Sequence, residues 1–156
     1  MNIAILGTGM VGETIGTKLV ELGHKVKMGS RTVDNPKAVE WVAKNGNSAS
    51  AGTFSDAAKF AEIVFNCTQG QHSLEALHLA GEENLSGKIL VDVSNPLDFS
   101  RGMPPSLTIS NTDSLGETIQ RAFPTAKVVK TLNTVNCQVM VKPGALKSES
   151  SVFVCA

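Results

Sequence analysis

This chain has no excess of either charge, no metal-ligand spacing and no long apolar run, and each absence closes off a class of function. The 14 Lys and Arg residues equal the 14 Asp and Glu residues. No bulk field therefore draws the protein to nucleic acid or to an anionic membrane, and any anion must be bound locally. The three cysteines, Cys67, Cys137 and Cys155, stand far apart without a CxxC pair, so they read as free thiols and no metal is expected. Cys67 and Cys155 fall inside apolar runs and are expected to be buried and inert. Glycines interrupt the first apolar run within a few residues. There is neither a span of roughly 18 apolar residues nor a charged start leading into a secretory segment, so a cytoplasmic protein is expected. No internal repeat or low-complexity tract divides the chain.

What is present suits one ordinary domain, residues 1–156, with 42% apolar residues to build its core. Residues 2–6 are almost wholly apolar, as in a strand covered on both faces of a parallel sheet. Val11, Ile15, Leu19 and Leu22 then recur at helical spacing up to Gly23, where a helix commonly ends. Strands are expected at Val26 to Gly29, Ala49 to Thr53, Ile63 to Cys67, Ile89 to Val93 and Ala126 to Thr131. Helices are expected at Asn35 to Asn45, Asp56 to Ala61 with Ser55 as its cap, His72 to Ala80 and Ser114 to Phe123. Such alternation predicts an α/β Rossmann-type fold, a doubly wound and mainly parallel sheet with helices on both faces. Asn95 to Thr112 reads as a functional loop, and Ser151 to Ala156 as a last strand.

The first turn carries the chemistry. Ile3-Ala4-Ile5-Leu6-Gly7-Thr8-Gly9-Met10-Val11-Gly12 places three glycines between a strand and a helix. Gly7 permits the tight turn, Gly9 lets the backbone approach a pyrophosphate, and Gly12 lets helix pack on strand. Free N–H groups from Thr8 to Val11 would face the phosphates at the positive end of the helix. About twenty residues on, a site for NAD normally presents a carboxylate to the ribose. Here Gly29-Ser30-Arg31 stands in that place, and a hydroxyl and a guanidinium suit the 2′-phosphate of NADP(H). Lys37 is a candidate second cation. The alternative is that Arg31 is an exposed loop residue and Asp34 makes the ribose contact.

Three further strand ends should line the same crevice: Thr68-Gln69, Ser94-Asn95-Pro96 and Asn133-Thr134. Their amides and hydroxyls suit ribose or carboxamide, and Pro96 could shape a nicotinamide pocket, although ordinary turn chemistry explains Asn and Thr equally well. No catalytic acid, base or nucleophile is assigned. His24 enters a strand at the opposite edge, His78 lies inside a helix, and His72 is read as part of a helix start. Hydride transfer between two bound carriers needs proximity and exclusion of water more than a protein acid or base.

The glycine run, Gly23-His24, Gly29-Ser30-Arg31, Asp92-Val93-Ser94-Asn95-Pro96-Leu97 and Val129-Lys130-Thr131-Leu132-Asn133-Thr134 together resemble the NADP-binding domain of the coenzyme F-420-dependent NADP oxidoreductase family. The resemblance spans nearly the whole chain. It implies NADP(H) at Thr8, Gly9, Met10, Val11, Ser30 and Arg31, with Thr68 and Gln69 near diphosphate and ribose. It also implies a deazaflavin, coenzyme F-420, or a flavin as a small-molecule hydride partner near Asn95, Pro96 and Asn133. Asn133 departs from the histidine of archaeal members. A homodimer and further C-terminal helices belong to the same family pattern, and those helices are not found within 1–156. An oxidoreductase is thus expected. A truncated NADP(H)-binding module without turnover is the alternative, and a reductase of a small imine or keto acid would need a further helical domain.

Overall fold

The computed structural model describes residues 1–156 throughout. In chain order, β1 (Asn2–Leu6) leads to α1 (Met10–Glu21), β2 (Lys25–Ser30), α2 (Pro36–Asn45), β3 (Ala49–Thr53), α3 (Phe54–Phe60) and β4 (Ile63–Asn66). The second half runs α4 (Ser73–Ala80), α5 (Glu82–Leu85), β5 (Ile89–Asp92), β6 (Leu97–Asp98), β7 (Ser106–Leu107), α6 (Leu115–Ala122), β8 (Lys127–Thr131), α7 (Cys137–Val141) and β9 (Val154–Cys155). Seven strands form one sheet in the order β3-β2-β1-β4-β5-β8-β9. All neighbours are parallel except β8 and β9.

Strand alternation sends successive side chains to opposite faces, and both faces are covered here. Ala4, Leu6, Val64, Leu90 and Val128 join Phe54, Leu77, Ile119 and Phe123 in a cluster of 17 buried residues under α3, α4 and α6. Ile5, Val26 and Met28 join Ile15, Ala38 and Trp41 in a second cluster of 9 under α1 and α2. That two-sided burial is why the strands read as nearly continuous apolar runs. The chain leaves β1 toward β2 on one side, whereas β4 lies on the other. The sheet therefore opens a crevice at the carboxyl ends of β1 and β4, the place where such folds bind ligands.

Most helix starts follow their sequence signals. Asn35 caps α2, its Oδ1 accepting from the N–H groups of Lys37 at 3.1 Å and Ala38 at 3.3 Å. Ser114 caps α6 through the N–H of Glu117 at 3.2 Å. The cap of α3 is Thr53, not Ser55. Its hydroxyl accepts from the N–H of Asp56 at 3.1 Å while Asp56 Oδ2 accepts from the Thr53 N–H at 2.9 Å. That reciprocal box satisfies two helix-end donors at once, so the helix begins two residues earlier than the Ser55 reading placed it.

Other expectations are corrected near the end of the chain. The segment Asn95 to Thr112 holds a short antiparallel ladder between β6 and β7, too brief to show periodicity. The last strand is only β9, antiparallel at the sheet edge, and Cys155 within it is exposed. An apolar run predicts burial only where a second layer covers it, and Phe153 there is 78% exposed. The buried thiols are Cys67 and Cys137. No helix is long and apolar enough to cross a membrane.

Candidate functional site

The three glycines of the first turn sort by what a side chain would strike. Gly7 has φ +115°, and a Cβ there would lie 2.8 Å from the carbonyl oxygen of Cys67. At Gly12 a Cβ would lie 2.3 Å from the carbonyl oxygen of Gly7, so α1 sits directly on the end of β1. Both positions are glycine because the protein itself leaves no room. Gly9 differs. Its φ is −87° and a Cβ would meet nothing within 4 Å, so nothing in the fold requires glycine there. Around it the N–H groups of Met10, Val11 and Gly12 donate to no protein acceptor, since the first helical bond is from Glu13 to Gly9 at 2.9 Å. An open backbone ringed by free donors at the positive end of a 12-residue helix has the chemistry to accept an anion.

Two cavities meet at this turn. The first, about 440 Å³, is lined by Gly7, Thr8 and Gly9, by Ser30, Arg31, Thr32 and Asn35, and by Thr68, Gln69 and His72. The second, about 330 Å³, is lined by Met10 and Val11, by Ser94, Asn95 and Leu97, and by Asn133, Cys137 and Met140. Cys67, Thr68 and Gln69 line both. Ser30, Arg31, Thr68, Gln69, Ser94, Asn95 and Asn133 are thus brought to one continuous edge, whereas Thr134 lines neither cavity.

Individual roles are narrower than the sequence suggested. The Ser30 side chain is buried and its hydroxyl donates to the Thr32 carbonyl at 2.5 Å, so it must rotate before it can donate to a ligand. Arg31 is exposed and lies 3.5 Å from Glu75 on α4. Asp34 is not among the lining residues. Lys37 lies elsewhere, in a separate depression between α1 and α2 with Glu13 and Glu40. It stands two residues past Asn35, which does line the first cavity. Pro96 is buried and lines neither cavity, its carbonyl accepting from the Thr108 N–H at 2.9 Å. It anchors the loop from behind.

Asn95 and Asn133 grip each other. Asn95 Nδ2 donates to the Asn133 carbonyl at 2.7 Å, and Asn133 Nδ2 donates to Asn95 Oδ1 at 3.1 Å. The two amides therefore hold the loops after β5 and β8 together, and no protein donor reaches Asn133 Oδ1. Leu132, at φ +62°, supplies the left-handed turn that presents Asn133, a conformation costly for a bulky residue.

Apart from Ser94, sequence reasoning missed the floor of the site. Asn66, Ser73, Asp92 and Ser94 are buried at the carboxyl ends of β4 and β5 and the start of α4. Asn66 Nδ2 donates to Ser73 Oγ and to Asp92 Oδ1, both at 2.9 Å, while its Oδ1 accepts from the Thr68 hydroxyl at 2.7 Å. Ser94 Oγ donates to Asp92 Oδ1 at 2.6 Å. Lys130 from β8 donates to Asp92 Oδ2 at 2.8 Å and to the Ser94 carbonyl. No buried side-chain polar atom lacks a partner. The available signal was polar residues ending otherwise apolar strands, Asn66 and Asp92. Also missed were α7, whose five residues carry Cys137 and Met140 to the second cavity, and Gly70. A Cβ on Gly70 would lie 2.3 Å from the Asn95 carbonyl oxygen, so glycine lets the loops after β4 and β5 touch.

The second cavity holds no carboxylate, histidine, lysine or arginine. Its one titratable type is cysteine, and burial, aided by nearby Asp92, pushes the Cys67 thiol far above its ordinary range. Cys67 stays a neutral, unreactive thiol at neutral pH. No group of three or more His, Cys, Asp or Glu is placed to hold a metal ion.

The family model described as NADP oxidoreductase, coenzyme F420-dependent, matches residues 2–96. A crystal structure from Arthrobacter sp. FB24, named as a candidate F420-dependent NADP-reductase, is 52% identical with a TM-score of 0.91, over 99% of this chain and 72% of that one. The metalloreductase STEAP3 of Rattus norvegicus is 30% identical over 155 residues, 99% of this chain. The chain spans only 28% of that curated relative's length. An imine reductase of Bacillus cereus shares the fold at a TM-score of 0.65 and 20% identity, over 88% of this chain and 42% of that one.

Proposed function

Because the chain belongs to the coenzyme F420-dependent NADP oxidoreductase family, we propose that its crevice binds NADP(H) and passes hydride to or from a second small-molecule carrier. The observation that carries this reading is Gly9, where space and unpaired N–H groups coincide for a reason the fold itself does not supply. Those donors would hold the pyrophosphate. Ser30 and Arg31 at one end of the paired cavities would take the 2′-phosphate. At the other end Met10, Val11, Leu97 and Met140 would press on the nicotinamide and exclude water, while Asn133 and Thr68 orient it.

Bound nicotinamide supplies or accepts a hydride. The chain's own part is positioning, and a cavity free of acids and bases suits a reaction whose barrier is lowered by approach and desolvation. The family description and the Arthrobacter relative's name favour coenzyme F420 as the second carrier.

Arg31→Ala tests the cofactor reading. Losing a charge-assisted phosphate contact should weaken NADPH binding by roughly 10-fold or more and NADH binding by less than about 2-fold. Equal affinity of the parent for both nucleotides by calorimetry would defeat it. Absorbance at the nicotinamide band with F420 or a flavin as acceptor separates turnover from binding alone.

A further inference from the structure

We propose that Glu75 sets how strongly the site prefers a phosphorylated over an unphosphorylated dinucleotide, by competing for Arg31; this rests on the NADP(H) reading above. Arg31 follows β2 and Glu75 lies in the first turn of α4, which follows β4, so the two come from opposite sides of β1. Arg31 lines the first cavity, and its Nη2 stands 3.5 Å from Oε2 of Glu75, which sits just outside that lining. The same oxygen is 3.7 Å from Nδ1 of His72, which lines that cavity with Arg31.

The pairing matters because of what it does to the two possible ligands. Side chains that are 60% and 56% exposed form a weak and displaceable pair. A 2′-phosphate, carrying nearly two negative charges, must turn Glu75 away from Arg31 and then tolerate a carboxylate nearby. A 2′-hydroxyl meets no such repulsion and can donate to that carboxylate. Sites for NAD usually place their acid at the end of the second strand. Here that end carries Arg31, and the acid arrives instead from α4. Arg31 thus favours the phosphate, Glu75 moderates the preference, and the His72 imidazole shares the carboxylate with Arg31.

Calorimetric titration of the full chain with 2′,5′-ADP and with 5′-AMP, at one fixed pH, reads this preference directly. Glu75→Gln should tighten 2′,5′-ADP by about three- to fivefold and leave 5′-AMP within about twofold. Thermal unfolding checks that the exposed substitution leaves the fold intact. An equal change for both ligands, or none for either, overturns the role of Glu75 while the parent's own preference for 2′,5′-ADP still stands. A parent without that preference overturns the NADP(H) reading itself, and this inference with it.

Discussion

Alanine at Gly9 and alanine at Gly12 should have opposite consequences, although the two positions lie three residues apart on one turn. At Gly12 the added Cβ would sit 2.3 Å from the Gly7 carbonyl oxygen and 3.2 Å from Ile5 Cγ2. Restoring ordinary contact requires α1 to lift off β1 by roughly 1 Å. Overpacking of this kind costs typically 1–3 kcal/mol, and a rigid backbone oxygen puts the cost at the upper end. The helical preference of alanine returns about 0.5–1 kcal/mol, so a net loss of about 2 kcal/mol is expected. At Gly9 the φ of −87° is open to alanine and no atom lies within 4 Å. Loss of unfolded-chain freedom stabilises by about 0.4–1 kcal/mol, and replacing glycine at a helix cap with alanine costs a similar amount. Gly9→Ala should therefore keep the parent stability within about 1 kcal/mol and still lose NADPH affinity by at least roughly 10-fold, because its methyl group occupies the space left for pyrophosphate. Urea unfolding followed by the fluorescence of Trp41, the sole tryptophan and 3% exposed, measures the first quantity, and calorimetry the second. Full NADPH affinity in Gly9→Ala would refute the anion-binding reading. Unchanged stability in Gly12→Ala would refute the packing account.

Three further outcomes follow from burial and exposure. Lys130→Met leaves the fully buried Asp92 carboxylate without its cation, which should cost about 3–5 kcal/mol in urea unfolding, and Asp92→Asn added to it should recover part of that loss. A cost under about 1 kcal/mol would show the pair to be hydrated. Thiol reagents should modify Cys155 in the native protein and spare Cys67 and Cys137 until unfolding, as mass spectrometry of the labelled chain reports. Because burial raises the Cys67 thiol above its unfolded value, its contribution to stability is complete below the ordinary thiol range and declines as pH rises past about 8.5. Labelling of Cys67 at the rate of Cys155 would contradict its burial.

The sheet was legible because its strands are covered on both faces, so apolar runs such as Ile3 to Leu6 and Ile63 to Phe65 mark themselves. The glycine turn was legible because backbone geometry restricts Gly7 and Gly12 almost to one residue type. β6 and β7 have two residues each and α5 and α7 only four and five, too few for a repeat of either period to show, which is why they escaped. Thr53 outranked Ser55 because a cap is decided by the partner three residues on, here Asp56. The site floor escaped for a different reason. Asn66, Asp92 and Lys130 are far apart in sequence, and only the sheet order that sets β4, β5 and β8 side by side makes them one network. For Lys37, closeness to Asn35 along the chain could not tell the crevice from the depression between α1 and α2 that it lines.

That network also divides the crevice thermodynamically. Asn66 already donates to Ser73 and Asp92 and accepts from Thr68, and a floor with its hydrogen bonds made has little conformational entropy left to lose. Arg31, Gln69 and His72 at the rim are exposed, and each gives up rotamer freedom when a ligand arrives, about 0.5–1.5 kcal/mol apiece. On the proposed reading, part of the ordering cost of association would fall at the Arg31 end of the crevice, where the side chains that choose the cofactor would also be the ones that must be stilled.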